Sequence, residues 1–310
     1  GARRLFESLE SLNRAPDAFA VLETARARRP DDGDLLLFAA DAHGRYGRYD
    51  EAARLMEAAG SKAAPSAWRR TAASLAHYQG DHAQALVHWR EILALNPADT
   101  GAHNSVARLL SVVEGRASAL RHLELSCEQQ PHLLPLRQSL VQWLREESNE
   151  RALAVLDALL AMDPANAWAH REKSIILRVL QRTDEALASA EEALRIEPFA
   201  PSSHGIRADA LRQLGRLAEA REGYRAGIRL SIDADWLFSE LVDACPDFAT
   251  RREAVAFLKD ELLRQISLQN ACLQFRSTAR VILTPEELRL ALEALWRARR
   301  LVYLEDQYLW

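Results

Sequence analysis

Apolar residues in the segment Ser66–Asp99 recur three and four positions apart in two successive runs. The first run stops at Gly80 and the second stops at Pro97, so the pattern predicts two amphipathic α-helices joined by a tight turn. The small residues Ala73 and Ala85 fall where the two helices would cross. The segment is therefore predicted to fold as a helical hairpin.

The same pattern returns along most of the chain. An alanine recurs at intervals of 33 or 34 residues, at Ala18, Ala52, Ala85, Ala119, Ala152, Ala186, Ala220 and Ala254. Proline, which cannot continue a helix, closes six units at Pro30, Pro65, Pro97, Pro131, Pro164 and Pro198, and Ile232 and Ile266 replace it in the last two. Turns that need a positive φ are predicted at Gly47, Gly80, Gly115 and Gly215, with Asn13 in that place in the first unit.

This spacing resembles the tetratricopeptide repeat, because a small residue, Gly, Ala, an aromatic residue and Pro at positions 8, 15, 20, 24 and 32 match Ala73, Gly80, Ala85, Trp89 and Pro97. The resemblance implies an all-α, right-handed superhelical solenoid of about eight helical hairpins. In this family the first helix of each hairpin lines a concave wall that binds partners.

The repeat positions define eight units, at about 1–32, 33–65, 66–99, 100–132, 133–166, 167–200, 201–234 and 235–268. Pro246 is expected to end the first helix of the eighth unit early. Residues 269–310 form a C-terminal helical segment, either a divergent ninth hairpin or a junction to a further domain. Its last helix is predicted to open with a capping box, in which Thr284 and Glu287 each bond the other's backbone amide.

Composition excludes several classes of protein. The 310 residues are 48% hydrophobic with a net charge of −4, so the chain is neither disordered nor basic enough to predict a nucleic-acid partner. No apolar run approaches the roughly 20 residues of a membrane span. Cys127, Cys245 and Cys272 lie far apart and predict reduced, buried thiols in a cytoplasmic protein. The high content of Ala and Arg favours a bacterial source, and the ends of the chain suggest a piece of a longer polypeptide.

Positions 2, 5, 9 and 12 of each first helix share the face that would line the concave wall. The candidate partner-binding residues at these positions are Arg70, His77, Asn104, Arg108, Arg137, Trp168, Arg171, Arg178, Arg212 and Trp236. Guanidinium groups in a groove favour an acidic peptide or a C-terminal carboxylate, through bidentate hydrogen bonds. The alternative is that these arginines lie on ordinary solvated faces. Tetratricopeptide domains that bind chaperone C-termini carry cationic and Asn residues at positions 5 and 9, a pattern that only Asn104 and Arg108 match.

The remaining candidate residues favour structural roles. Trp89 and Trp143 are predicted to be core, and the tryptophans at helix starts pack on the preceding unit or grip a peptide, with packing favoured for Trp68. His77, His82 and His88 do not share a helix face and complete no metal set. His103 and His170 both occupy position 4 of their units, which indicates a repeated structural slot.

Catalytic motifs, cofactor sites and metal sites are absent from the sequence pattern. The sequence therefore predicts a non-catalytic scaffold for protein–protein interaction. Its alternative is the substrate-recruiting region of a larger enzyme whose catalytic domain lies outside this chain. Docking or self-association through an apolar C-terminal face is a third possibility, carried by Leu301, Val302, Leu304, Tyr308, Leu309 and Trp310.

Overall fold

The structure, a computed structural model, describes residues 1–265 and 271–308, with side chains described up to residue 298. In these ranges the chain forms α-helices, one short 3-10 helix and no strand, which confirms the predicted all-α class. None of the described helices is both long and apolar enough to cross a bilayer.

The helices form two compact units, residues 1–144 and 145–310. The helices of the first unit are α1 Ala2–Ser11, α2 Ala15–Arg28, α3 Gly33–Arg45, α4 Tyr49–Ala59, α5 Pro65–Tyr78, α6 His82–Leu95, α7 Thr100–Val113, α8 Arg116–Gln129 and α9 Leu134–Arg145. Those of the second are α10 Asn149–Met162, α11 Ala167–Val179, α12 Thr183–Ile196, α13 Pro201–Gln213, α14 Leu217–Leu230, α15 Leu237–Asp243, α16 Phe248–Arg264, α17 Ala271–Ala279 and α18 Pro285–Tyr308.

The recurring alanines form the centre of each hairpin. All eight, from Ala18 to Ala254, are at most 1% exposed, because only a methyl group fits where two helices cross closely. Seven of the eight residues four positions further along, one turn later on the same face, are buried as well. The exception is Trp89, whose indole is only half-buried.

The predicted helix boundaries follow from local chemistry. Gly47, Gly80, Gly115 and Gly215 all have positive φ, and Asn13 adopts the same conformation at φ 58°. Helix α15 ends at Asp243, three residues before Pro246, as expected. Thr284 Oγ1 accepts the Glu287 amide at 3.3 Å while Glu287 accepts the Thr284 amide at 2.9 Å, which confirms the capping box.

Three hairpins are hydrogen-bonded to the end of the hairpin before them. His103, His170 and His204 lie six residues after a proline, and each Nε2 bonds that proline's carbonyl oxygen at 2.9, 3.0 and 2.9 Å. These carbonyls lie just beyond the end of a helix and have no partner within it. The predicted structural role of His103 and His170 is therefore confirmed.

One unit departs from the regular length. Helix α4 ends at Ala59 and is followed by the 3-10 helix Gly60–Lys62, which packs onto the start of α3. A Cβ at Gly33 would overlap the carbonyl oxygen of Lys62, so only glycine fits there. Trp68 fills the remaining space and donates its Nε1 hydrogen to the Met56 carbonyl at 3.1 Å, which confirms packing on the preceding unit.

Other expectations require correction or fall outside the described residues. Cys127 and Cys245 are buried, but Cys272 on α17 is only half-buried, so the prediction of a buried thiol is wrong for Cys272. Ile266 and the apolar face at residues 301–310 lie outside the part of the chain whose side chains are described, so docking through that face stays a prediction.

Candidate functional site

An open pocket of about 510 Å³ lies in the first unit and is lined by residues of α5, α6 and α7, which belong to two successive hairpins. Its wall on α5 comes from residues three and four apart, which share one helix face. Helix α6, the second helix of the same hairpin as α5, contributes one lining side chain, Trp89. The lining residues are Ala73, Ser74, His77, Tyr78, Trp89, Ser105, Arg108, Leu109, Ser111 and Val112.

Trp89 forms the inner wall of this pocket. The prediction that Trp89 is a core residue is wrong, because the indole is only half-buried and lines the pocket. The Arg70 guanidinium lies 5.6 Å from the ring centroid and also pairs with Asp99, the residue that caps α7. Trp89 is thus held in place by a cation–π contact. Trp143 is likewise half-buried, under Arg116.

Tyr78 closes one end of the pocket. Its hydroxyl donates to Asp41 at 3.0 Å, and burial, with Asp41 next, raises the pKa of Tyr78 to about 12. The phenol therefore stays protonated at neutral pH, with its hydrogen directed at Asp41. Ser105 and Ser111 donate to backbone carbonyls of α7, which leaves their oxygens as weak acceptors at the pocket wall.

Arg108 is the charged group of the pocket. It is exposed, and its Nη2 lies 3.5 Å from Ser105 Oγ. Within the described part of the chain, no carboxylate lies within ion-pair distance of its guanidinium. His77 lines the same pocket from α5, and none of the residues that line it carries a carboxylate.

The candidate arginines of the second unit, in contrast to Arg108, already pair with carboxylates. Arg178 Nη1 donates to Asp209 Oδ2 at 2.6 Å, and Arg212 Nη2 donates to Glu240 Oε2 at 3.0 Å. The buried Tyr224 hydroxyl joins the two pairs, since it donates to Asp209 at 2.7 Å and accepts from Arg212 Nε at 3.3 Å. Burial, with Asp209 next, raises the pKa of Tyr224. These residues form one continuous polar network across α11, α13, α14 and α15.

The other predicted site residues are distributed between the two units. Arg171 pairs with Glu197 and also donates to Ser203 Oγ at 3.2 Å. Arg137 donates to the Pro131 carbonyl oxygen. Asn104 on α7 and Trp168 on α11 are half-buried, and Trp236 is 41% exposed. The Trp236 ring packs so closely on Gly205 that a Cβ at this position would overlap the ring.

The expected groove is interrupted in the fifth hairpin. Val141 and Leu144 occupy positions 9 and 12 there, which the repeat pattern assigns to the concave wall, yet both are buried. Their aliphatic side chains are stabilised by removal from water, so positions 9 and 12 of this hairpin are not open to a partner.

The pocket therefore combines predicted and unpredicted residues. His77 and Arg108 were predicted to bind a partner, whereas Trp89, Tyr78 and Ser105 were not. The sequence feature that could have indicated the pocket is the size of Trp89, because the same repeat position holds Leu, Met, Ala or Tyr in the other hairpins.

These observations define a class: a protein built of repeated helical hairpins, with a pocket on the face formed by first helices. Models of the tetratricopeptide repeat family match residues 11–75 and, in a second form, residues 144–201 and 177–235. The chain belongs to the tetratricopeptide repeat family.

Individual relatives are distant. The Protein STIP1 homolog of Dictyostelium discoideum is 28% identical over 93 residues, which are 30% of this chain and 16% of that protein. A solved tetratricopeptide repeat protein from Thermus thermophilus is 21% identical, with 62% of this chain and 98% of that chain covered and a TM-score of 0.41. One from Parabacteroides merdae is 14% identical, covers 78% and 96%, and has a TM-score of 0.45. The type IV pilus biogenesis factor PilW is 18% identical, covers 68% and 100%, and has a TM-score of 0.46.

Proposed function

We propose that this chain is a protein-binding scaffold whose pocket between α5 and α7 holds an extended or helical peptide segment that carries a carboxylate. The carboxylate, from a side chain or a C-terminus, pairs with Arg108. An apolar side chain next to it lies against Trp89 and Val112. A volume of about 510 Å³ is within the range of pockets that hold small ligands or single anchoring side chains.

The observation that carries this proposal is a comparison of equivalent repeat positions. In the second unit, position 12 of one hairpin and position 9 of the next hold Arg178 and Asp209, which pair. The same positions in the first unit hold His77 and Arg108. Because the acid is missing there, a ligand can supply it.

The paired arginines are poorer candidates for the same role. An acidic ligand at Arg171, Arg178 or Arg212 would have to displace a carboxylate that is already in place. The gain from the new pair is then offset by the loss of the old one. At Arg108 a charged hydrogen bond is added outright, and such bonds contribute about 1.5–3 kcal/mol.

The proposal is tested by selecting binders from a random twelve-residue peptide display library with the full chain. We expect the selected peptides to share an Asp, Glu or free C-terminus next to an apolar residue. Calorimetry with one selected peptide should show at least about tenfold weaker binding to the Arg108→Glu variant, because like charges then face each other.

Arg90→Glu provides the matched control. Arg90 is also exposed, and it lies on α6 outside the pocket. Its substitution changes the net charge by the same amount as Arg108→Glu, so we expect the Arg90→Glu variant to bind the peptide like the wild type. Selected peptides without acidic groups, or equal losses in the two variants, would contradict the assignment of the site.

A further inference from the structure

Two histidines meet across the turn between α5 and α6. His77 lies in the last turn of α5 and His82 is the first residue of α6. Their Nδ1 atoms are 3.3 Å apart, and their ring centroids are 5.1 Å apart with the planes tilted by 39°. The spacing of His77 and His82 places them on no common helix face, so the sequence pattern did not predict this contact. The turn brings the two rings together.

The turn that separates them is firmly held. The Gly80 amide donates to the His77 carbonyl at 3.0 Å, and the Asp81 amide donates to the Ala76 carbonyl at 2.9 Å. The Asp81 side chain caps α6 by accepting the Gln84 amide at 2.9 Å. Because the backbone between the rings is fixed, their separation is preorganised and a ligand that bridges them loses little additional chain entropy.

The separation matches a specific kind of ion. Two imidazole nitrogens that bind one tetrahedral Zn²⁺ at about 2.0–2.1 Å lie about 3.3–3.4 Å apart. A square-planar or octahedral ion places adjacent nitrogens closer together, at about 2.9 Å. The observed 3.3 Å therefore fits the tetrahedral geometry better.

The ring centroids agree with this interpretation. Two rings that both point at one tetrahedral ion have centroids about 5.2 Å apart, whereas a straight hydrogen bond at the observed nitrogen separation of 3.3 Å would place the centroids about 5.6 Å apart. The observed distance is 5.1 Å. His77 is exposed and His82 half-buried, so an ion can reach both nitrogens from solvent.

We propose that His77 and His82 form a binding site for a tetrahedral divalent metal ion, Zn²⁺, with both Nδ1 atoms as ligands. Residues 1–265 and 271–298 contain no group of three or more His, Cys, Asp or Glu side chains placed to hold an ion. The two remaining coordination positions are therefore open to water or to an oxygen of a bound partner. This site does not depend on the peptide-binding role of Arg108.

The test is calorimetric titration of Zn²⁺ into the full-length chain after removal of any affinity tag, in a buffer that does not bind metal. Wild-type protein should bind one ion. His77→Ala and His82→Ala should each weaken binding at least about tenfold, because each removes one of the two ligands. Replacement of Zn²⁺ by Co²⁺ should give the visible absorption of a tetrahedral site in the wild type alone.

His132→Ala is the control, since His132 is exposed and lies in the loop between α8 and α9. It should bind Zn²⁺ like the wild type. Circular dichroism of each variant establishes that it is folded. If the wild type shows no binding at millimolar Zn²⁺, or if His77→Ala binds as tightly as the wild type, the pair is a hydrogen bond only and the proposal is wrong.

Discussion

Arg108 and Arg178 both project from the first helix of a hairpin, but among the described residues only Arg178 of the two pairs with a carboxylate. The difference lies in a neighbouring residue rather than in the arginine itself. Asp209, on the next hairpin, pairs with Arg178, whereas none of the residues that line the pocket with Arg108 carries a carboxylate. A single side chain on the adjacent helix thus decides whether a guanidinium stabilises the fold or remains free to bind.

His122 makes stability depend on pH. Its Nε2 lies 3.2 Å from His103 Nδ1, and burial, with the His103 ring next, lowers the pKa of His122 to about 4. The unfolded side chain takes up a proton near pH 6.5. Between these values the unfolded chain binds a proton that the folded chain excludes, so stability falls as the pH drops from about 6.5 to about 4.

Urea denaturation at pH 7.0, 5.5 and 4.5 measures this effect. With allowance for solvent screening, we expect His122 to account for about 2 kcal/mol of the loss at the lower end of this range. His122→Asn should remove that part of the slope. Burial also lowers the pKa of His43, so a smaller slope should remain. An unchanged slope in the variant would contradict the assignment.

At the scale of helices, the polar network of the second unit couples neighbouring hairpins. Arg178, Asp209, Tyr224, Arg212 and Glu240 connect four helices through bonds of 2.6 to 3.3 Å. A repeat array has few contacts between distant parts of the sequence, so bonds between adjacent hairpins contribute a large share of its cooperativity.

Asp209→Ala tests this coupling. The substitution leaves the Arg178 guanidinium and the buried Tyr224 hydroxyl without their acceptor, so we expect a loss of about 3 kcal/mol in the free energy of unfolding. Asp209→Asn, which keeps an acceptor oxygen, should lose less. Glu185→Ala breaks an exposed pair with Arg182 at the start of α12 and should leave stability unchanged in the same denaturation assay. Equal effects of the three variants would argue against a coupling role.

At the scale of the whole molecule, the compact unit 1–144 contains four complete hairpins, from α1 to α8, and the first helix of the fifth. All pocket residues lie between Ala73 and Val112, inside the unit 1–144. Because repeat proteins are stabilised mainly by adjacent hairpins, a fragment of residues 1–145 should fold and bind the selected peptide about as tightly as the full chain. Circular dichroism and calorimetry measure the two properties. A folded fragment that does not bind would show that the pocket needs residues beyond Arg145.

Much of the fold is encoded locally. The alanines that recur every 33 or 34 residues predicted the crossings, and Gly80 and Pro246 predicted a turn and a helix end that the structure contains. The candidate site was harder to predict from the sequence than the fold. Arg108 and His77 were identified from their positions, but the same criterion also selected Arg178 and Arg212, which are paired.

The sequence by itself determined that this chain is an array of helical hairpins, because small and bulky apolar side chains at helical spacing have one good way to pack. Only the tertiary structure decided which arginines are free, that Trp89 faces a pocket, and that His77 meets His82. Each of these depends on how side chains of different helices are oriented toward one another. Periodicity along one helix carries no information about the residue that lies opposite.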